Sequence, residues 1–169
     1  MLIRYAYRFR LYPTREQRIQ LARQFGCVRW VYNHFLARRQ EYYAASGKSL
    51  SYEDTTEELA ALKQEEELAW LREAHSQTLQ QGLRDLDSAY QHFFEKRNRH
   101  PKFKRKQGRQ SCRYPQGVKL EGEGRQAQVY LPKVGWVAAL PLATLWRIGR
   151  SWASSSRRRS ARPRRDTTL

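Results

Sequence analysis

Cysteine, histidine clusters and long apolar runs are what this sequence lacks. Cys27 and Cys112 are its only cysteines, and no C-x-x-C pair exists. A four-cysteine zinc ribbon cannot be assembled from them, and the expected state is reduced, structural thiol. His34, His75, His92 and His100 are scattered without metal-ligand spacing, so no metal and no cofactor is expected. No apolar run approaches the ~18 residues of a membrane span. Arg4, Arg8 and Arg10 interrupt the N-terminal apolar stretch where a secretory signal would need a continuous core. A cytoplasmic protein with no membrane partner is the expectation.

Acidic residues are scarce in two places. Residues 1–40 hold nine bases and one acid, and residues 96–116 hold nine bases and none. Between them, residues 41–95 hold four bases and twelve acids. The whole chain of 169 residues carries a formal +17 with 40% hydrophobic residues, enough for a packed core. A polyanion is the implied partner. The block pattern suggests an acidic module inserted between two basic flanks that meet on one nucleic-acid surface.

The stretch from His100 to Gln116 concentrates this chemistry. Its cations suit a phosphate backbone, whose neutralisation releases condensed counterions. Phe103 and Tyr114 are interleaved with the charges and could stack on unpaired bases. Pro101 and Gly108 prevent one continuous helix there.

Around this stretch the periodicities predict an α+β chain. Leu2 to Tyr12 reads as a strand with an Arg-bearing face, closed by Pro13. Thr14 and Gln17 form a capping-box pair opening a helix from Arg15 to Phe25, with Ile19, Leu21, Ala22 and Phe25 as its apolar positions. Gly26 is expected to break it, and a second helix runs from Val28 to about Ala45, with Val28, Val31, Tyr32 and Phe35 inward and Arg38 and Arg39 off that stripe. The pair resembles a helix-turn-helix unit. Ser51 with Asp54 caps a third helix, and Ser76 opens a fourth that runs to about Lys96. Tyr52/Thr56 and Ser76/Gln80 each fall at i, i+4 near helix starts, facing either a groove or solvent. Short strands are expected at Val118–Leu120, Val129–Leu131 and Gly135–Val137. Together with the first strand they would close a small antiparallel β-barrel, interrupted by the inserted helical bundle.

Six segments occur in an order that matches a known family: Arg10–Pro13, Trp30–Leu36, Leu83–Asp87, Phe93-Phe94, Pro101–Lys104 and Leu131–Trp136. From about Ile3 to Val137 the chain resembles the N-terminal half of the TnpB/OrfB family, transposase-type proteins of insertion sequences that are RNA-guided DNA nucleases. The resemblance implies a wedge-like barrel, first strand 1–13, interrupted by a helical recognition domain over 14–98, with the basic segment and remaining strands over 99–137. It implies guide-type RNA and DNA, at the element end or the target-flanking duplex, as partners. By that implication Arg8, Arg10, Lys102, Lys104, Arg105, Lys106 and Arg113 contact phosphates, and Tyr52, Thr56, Ser76 and Gln80 read the DNA flank.

The family's nuclease half is a RuvC-like fold whose carboxylates hold divalent metal. Past Gly117, before the tail, only Glu121 and Glu123 are acidic, so no cleavage is expected. Residues 138–169 depart from the family's pattern, with a Ser/Arg/Ala/Pro bias over 145–165 and a frameshift window expected near 138–145. They read either as a frameshifted, disordered tail ending a truncated product or as a disordered RNA-binding tail. A free-standing helix-turn-helix regulator of a mobile element, or an inactive fragment, are the competing functions.

Overall fold

The computed structural model describes residues 7–141. Their order is β1 (Phe9–Tyr12), α1 (Arg15–Ser46), α2 (Tyr52–Leu62), a 3-10 turn at Ala69–Glu73, α3 (Ser76–Phe94), β2 (Lys119–Glu121), a second 3-10 turn at Gly124–Gln126, β3 (Gln128–Leu131) and β4 (Gly135–Pro141).

The caps act where the sequence puts them. The Gln17 N–H donates to the Thr14 hydroxyl at 3.3 Å while the Gln17 side chain accepts from the Thr14 N–H at 3.0 Å. Ser51 and Asp54 repeat the exchange at the start of α2. Gly47 ends α1 in the left-handed region, φ 68°, where its N–H donates to the Tyr43 carbonyl.

Gly26 breaks nothing. Residues 15–46 form one 32-residue helix, so the expected pair of helices joined at Gly26 is not formed. A helical glycine costs about 1 kcal/mol relative to alanine. The stripe that crosses it comprises Gln24, Cys27, Val28, Val31, Tyr32, Phe35, Leu36 and Arg39, all buried. Each large apolar side chain so buried contributes about 1.5–3 kcal/mol, which outweighs the glycine. The expected N-terminal stripe is also displaced: Ile19 is 48% exposed, and Leu21 packs on the sheet instead.

α1 and α3 pack directly and run parallel, Gln24 meeting His75 and Arg39 meeting Asp87, while α2 runs antiparallel along α3. Leu59, Leu71, Leu79, Leu83 and Leu86 close the core over the α1 stripe. Gly82 permits close approach there: a Cβ on it would sit 3.4 Å from the Val28 side chain. Arg39 corrects the sequence reading as well. It lies on the buried stripe, pairs with Asp87 at 3.1 Å and places its guanidinium carbon 5.4 Å from the Tyr90 ring centre. Its long apolar stem allows a cation to occupy a core position when a carboxylate and a ring receive its head.

The sheet is antiparallel, four-stranded and open, in the order β1-β4-β3-β2. Among the described residues the expected barrel is not formed. Closure would need β1 to meet β2, and four strands of three to seven residues do not curl far enough to join their edges. The helices do lie between β1 and β2 in the chain, as the insertion pattern implied. Val129, Leu131, Val137 and Ala139 form the buried face, against Phe9, Leu11, Leu21 and Tyr114.

Strand β4 continues through Pro141, with Ala138 opposite Tyr12 and Leu140 opposite Arg10. The boundary expected after Val137 therefore falls inside a strand, and residues 138–141 belong to the sheet. The remainder of the expected tail, most of the frameshift window, and residues 1–6 of the expected first strand lie outside the described residues.

Candidate nucleic-acid interface

After α3 the chain reverses at Lys96, which sits in the left-handed region at φ 59°. His100 then packs edge-on against Phe93 and Tyr90, ring centres 5.1 and 5.5 Å away, and Pro101 is buried. From there residues 102–116 form a strap that runs back along α1 and α3 toward the sheet.

Side chains of the helices hold the strap by its backbone. Asn33 accepts from the Lys104 N–H at 2.8 Å and donates to the Lys104 carbonyl at 2.9 Å. Gln110 folds over the turn, its amide nitrogen donating to the carbonyls of Arg105, Lys106 and Gly108. Its oxygen accepts from Arg29 of α1 at 2.7 Å. Gln77 of α3 donates to Gln116 at 3.1 Å near the far end. The backbone is thus committed inward, which leaves side chains to face outward.

Within the strap the expected phosphate contacts separate into two kinds. Lys102, Arg105 and Lys106 are exposed, and among the described residues their side chains make no hydrogen bond or ion pair. Lys104 is half-buried, its ammonium 3.9 Å above the Tyr32 ring centre. Burial pushes its pKa below the ordinary lysine value, with Arg113 pushing the same way and Asp85 opposing. Arg113 is largely exposed but faces Asp85 at 3.7 Å.

Arg8 and Arg10 are exposed at β1, with Arg10 5.6 Å from the Tyr12 ring centre. Asn33 lies 18 residues beyond Arg15, about 27 Å along α1 at 1.5 Å per residue. The sheet arginines and the Lys102–Lys106 turn are therefore two separate cationic stations.

The four expected flank readers share one seam. α2 and α3 are antiparallel, with Tyr52 beside Arg84 at one end and Ser76 beside Lys63 at the other. Thr56 and Gln80 lie one turn inward from these ends. Two of the four already have partners: the Tyr52 hydroxyl accepts from Arg84 at 3.2 Å, and the Ser76 hydroxyl accepts from Lys63 at 3.1 Å. The Thr56 hydroxyl donates to the Tyr52 carbonyl within its own helix. Gln80 is exposed.

Ser76 opens α3 as its first residue, as the sequence predicts. His75 holds the cap position without a side-chain hydrogen bond to the helix backbone. Its N–H donates to the buried Gln24 side chain at 3.2 Å, and its Nδ1 lies 3.3 Å from the Thr78 hydroxyl. Burial lowers its pKa, and Lys133 lowers it further. A cation at a helix N-terminus is disfavoured for the same reason. The folded state thus favours neutral imidazole. That stabilisation is complete above the ordinary histidine value of about 6.5 and is lost as pH falls through the lower folded value. Thermal midpoints should decline from about pH 7.5 to about pH 5.5, and His75→Asn should flatten the decline. Parallel curves for the two proteins would remove His75 as the cause.

Asn33, Gln110 and Arg29 escape the sequence reading, although Asn33 stands inside a quoted segment. A polar residue beside an apolar stripe carries no mark of a partner 71 residues away. Cys27 and Cys112 both pack at the helical core, and burial pushes both thiols up. Among the described residues no group of three or more His, Cys, Asp or Glu is placed to hold a metal ion. None of the described helices is long and apolar enough to cross a membrane.

Comparison with known proteins places this architecture. The helix-turn-helix domain model of OrfB from IS605 elements matches residues 1–48. Over 132 residues the chain is 40% identical to InsQ of Escherichia coli (strain K12), whose name gives it as a candidate RNA-guided DNA endonuclease; the match covers 78% of this chain and 32% of InsQ. A Streptomyces pristinaespiralis protein of the same designation is 42% identical over 113 residues, covering 66% of this chain and 28% of that protein. The virulence protein VsdF of Salmonella dublin is 36% identical over 108 residues, covering 59% of this chain and 91% of VsdF. The chain thus spans about a third or less of the length of the first two relatives and nearly all of VsdF.

Proposed function

The chain belongs to the OrfB/TnpB family of insertion-sequence proteins, and from that premise we propose that residues 7–141 grip nucleic acid, single-stranded RNA and DNA duplex, for machinery of that kind. The observation that carries this reading is the strap itself. Lys102, Arg105 and Lys106 project from a turn whose backbone is tied down by Asn33 and Gln110. Cations held this way meet phosphates with little further loss of chain entropy. The second station, at Arg8 and Arg10, gives a bound strand or groove edge two points of attachment. Of the seven expected phosphate contacts, Lys104 is reassigned to holding the strap, because its ammonium is spent on Tyr32. Arg113 contributes after releasing Asp85. The seam of Tyr52, Thr56, Ser76 and Gln80 is the candidate surface for reading a flanking duplex, with Gln80 the residue readiest to reach a base edge.

Cutting is assigned to no residue in this stretch. Two-metal phosphodiester chemistry needs several carboxylates converging on one point, and the acids here pair with cations or face solvent.

The test is recovery of bound nucleic acid. The full chain, purified at low salt from a host carrying the element, should bring down RNA from the element's 3′ end. Random nucleic acid in proportion to abundance would refute specific grip and leave charge alone. Tight binding of element-end duplex without RNA in a gel shift would instead favour the stand-alone DNA-binding regulator.

A further inference from the structure

An unassigned cleft of about 520 Å³ opens on α1 beside the strap, lined by Gly26, Arg29, Trp30, Asn33, His34 and Trp70. The first five recur at i, i+3, i+4, i+7 and i+8, so they form one continuous stripe of the helix. Trp70 reaches it from the 3-10 turn. Trp30 and His34 lie stacked, 4.6 Å apart and 12° from parallel, and Trp70 stands edge-on to Trp30 at 5.5 Å. Trp70 remains 37% exposed.

We infer that this cleft receives one unpaired nucleobase from a single strand whose phosphates lie on the strap; the inference rests on the grip proposed above. Three observations converge on that occupant. The lining is aromatic and cationic with no acid, as a π-face beside a polyphosphate requires. Cleft and strap share two residues, since Arg29 holds Gln110 and Asn33 holds the Lys104 backbone. A strand on Lys102–Lys106 therefore passes within a nucleotide's reach of the cleft. Finally, a Cβ at Gly26 would meet nothing within 4 Å, so glycine leaves open space at the cleft wall that the helix does not need.

That last point supplies the test. Binding of the full chain to oligouridine of about 12 nucleotides is compared with an abasic ribose-phosphate of equal length, and with oligothymidine. Wild type should prefer the base-bearing strand roughly five- to hundredfold, the range expected for one stacked base. Gly26→Leu fills the cleft without disturbing the helix, and it should bring the ratio near one while keeping the salt dependence of binding. Trp30→Leu, which retains an apolar contact on the core, should do the same. The larger ratio, for uridine or for thymidine, assigns RNA or DNA as the source of the base. A wild-type ratio of one, or a ratio unchanged by Gly26→Leu, overturns the inference. An unchanged ratio accompanied by altered self-association would give the cleft to a protein surface instead. Loss of salt dependence in wild type would strike the grip itself, and so separates that failure from failure of the cleft.

Discussion

Replacing Lys102, Arg105 and Lys106 together with glutamine should weaken single-strand or duplex binding roughly a hundredfold at about 0.1 M salt. The slope of log affinity against log salt should fall by about two to three, since each lost phosphate contact removes about 0.7–0.9. These three side chains are exposed and take no part in the internal hydrogen bonds, so the melting curve should not move. Lys104→Gln is the contrasting variant. It should leave the slope nearly unchanged and lower stability, because it removes a cation held 3.9 Å above Tyr32. A contact of that kind is worth about 0.5–2 kcal/mol. A triple variant with the wild-type slope would take the turn out of the interface.

The second large effect is expected at Asn33. Asn33→Ala deletes both bonds to the Lys104 backbone and leaves a partly buried N–H and carbonyl without partners. Two net hydrogen bonds plus desolvation of the orphaned groups amount to roughly 2–4 kcal/mol. The denaturant midpoint should drop accordingly, and the Lys104 amide should lose hydrogen-exchange protection ahead of the α1 core. Nucleic-acid affinity should fall as well, although no cation is removed, because the turn must then be ordered at the moment of binding. Unaltered exchange at Lys104 would show that Gln110 alone holds the strap.

These expectations differ in how far the sequence anticipates them. The concentration of Lys and Arg between 96 and 116 is plain in the sequence, because counterion chemistry depends on composition over a short stretch. Both capping boxes are legible too: Thr14 with Gln17 and Ser51 with Asp54 satisfy groups only three residues apart. The apolar runs of α3 and the β2–β4 positions follow from periodicity of the same short range. Family membership also rests on ordered local segments.

What lay beyond the sequence is what spans it. Gly26 looked like a break because local propensity disfavours glycine in a helix, yet Leu21 packed on the sheet and Gln24 buried before it, and the buried apolar stripe from Cys27 onward after it, decide otherwise. Arg39 looked solvent-facing until Asp87 and Tyr90 came within reach. The barrel failed for a reason no single strand carries, namely that four short strands leave two edges apart.

The basic segment shows the same division within one residue run. Composition alone determined that this stretch should meet a polyanion, since charge needs no partner to be read. Only the tertiary structure decided which cations are available: Asn33 and Tyr32 claim Lys104, Asp85 approaches Arg113, and Lys102, Arg105 and Lys106 remain outward. That choice depends on contacts between residues some 70 positions apart in the chain, such as Asn33 and Lys104, and such contacts exist only once the helices have packed.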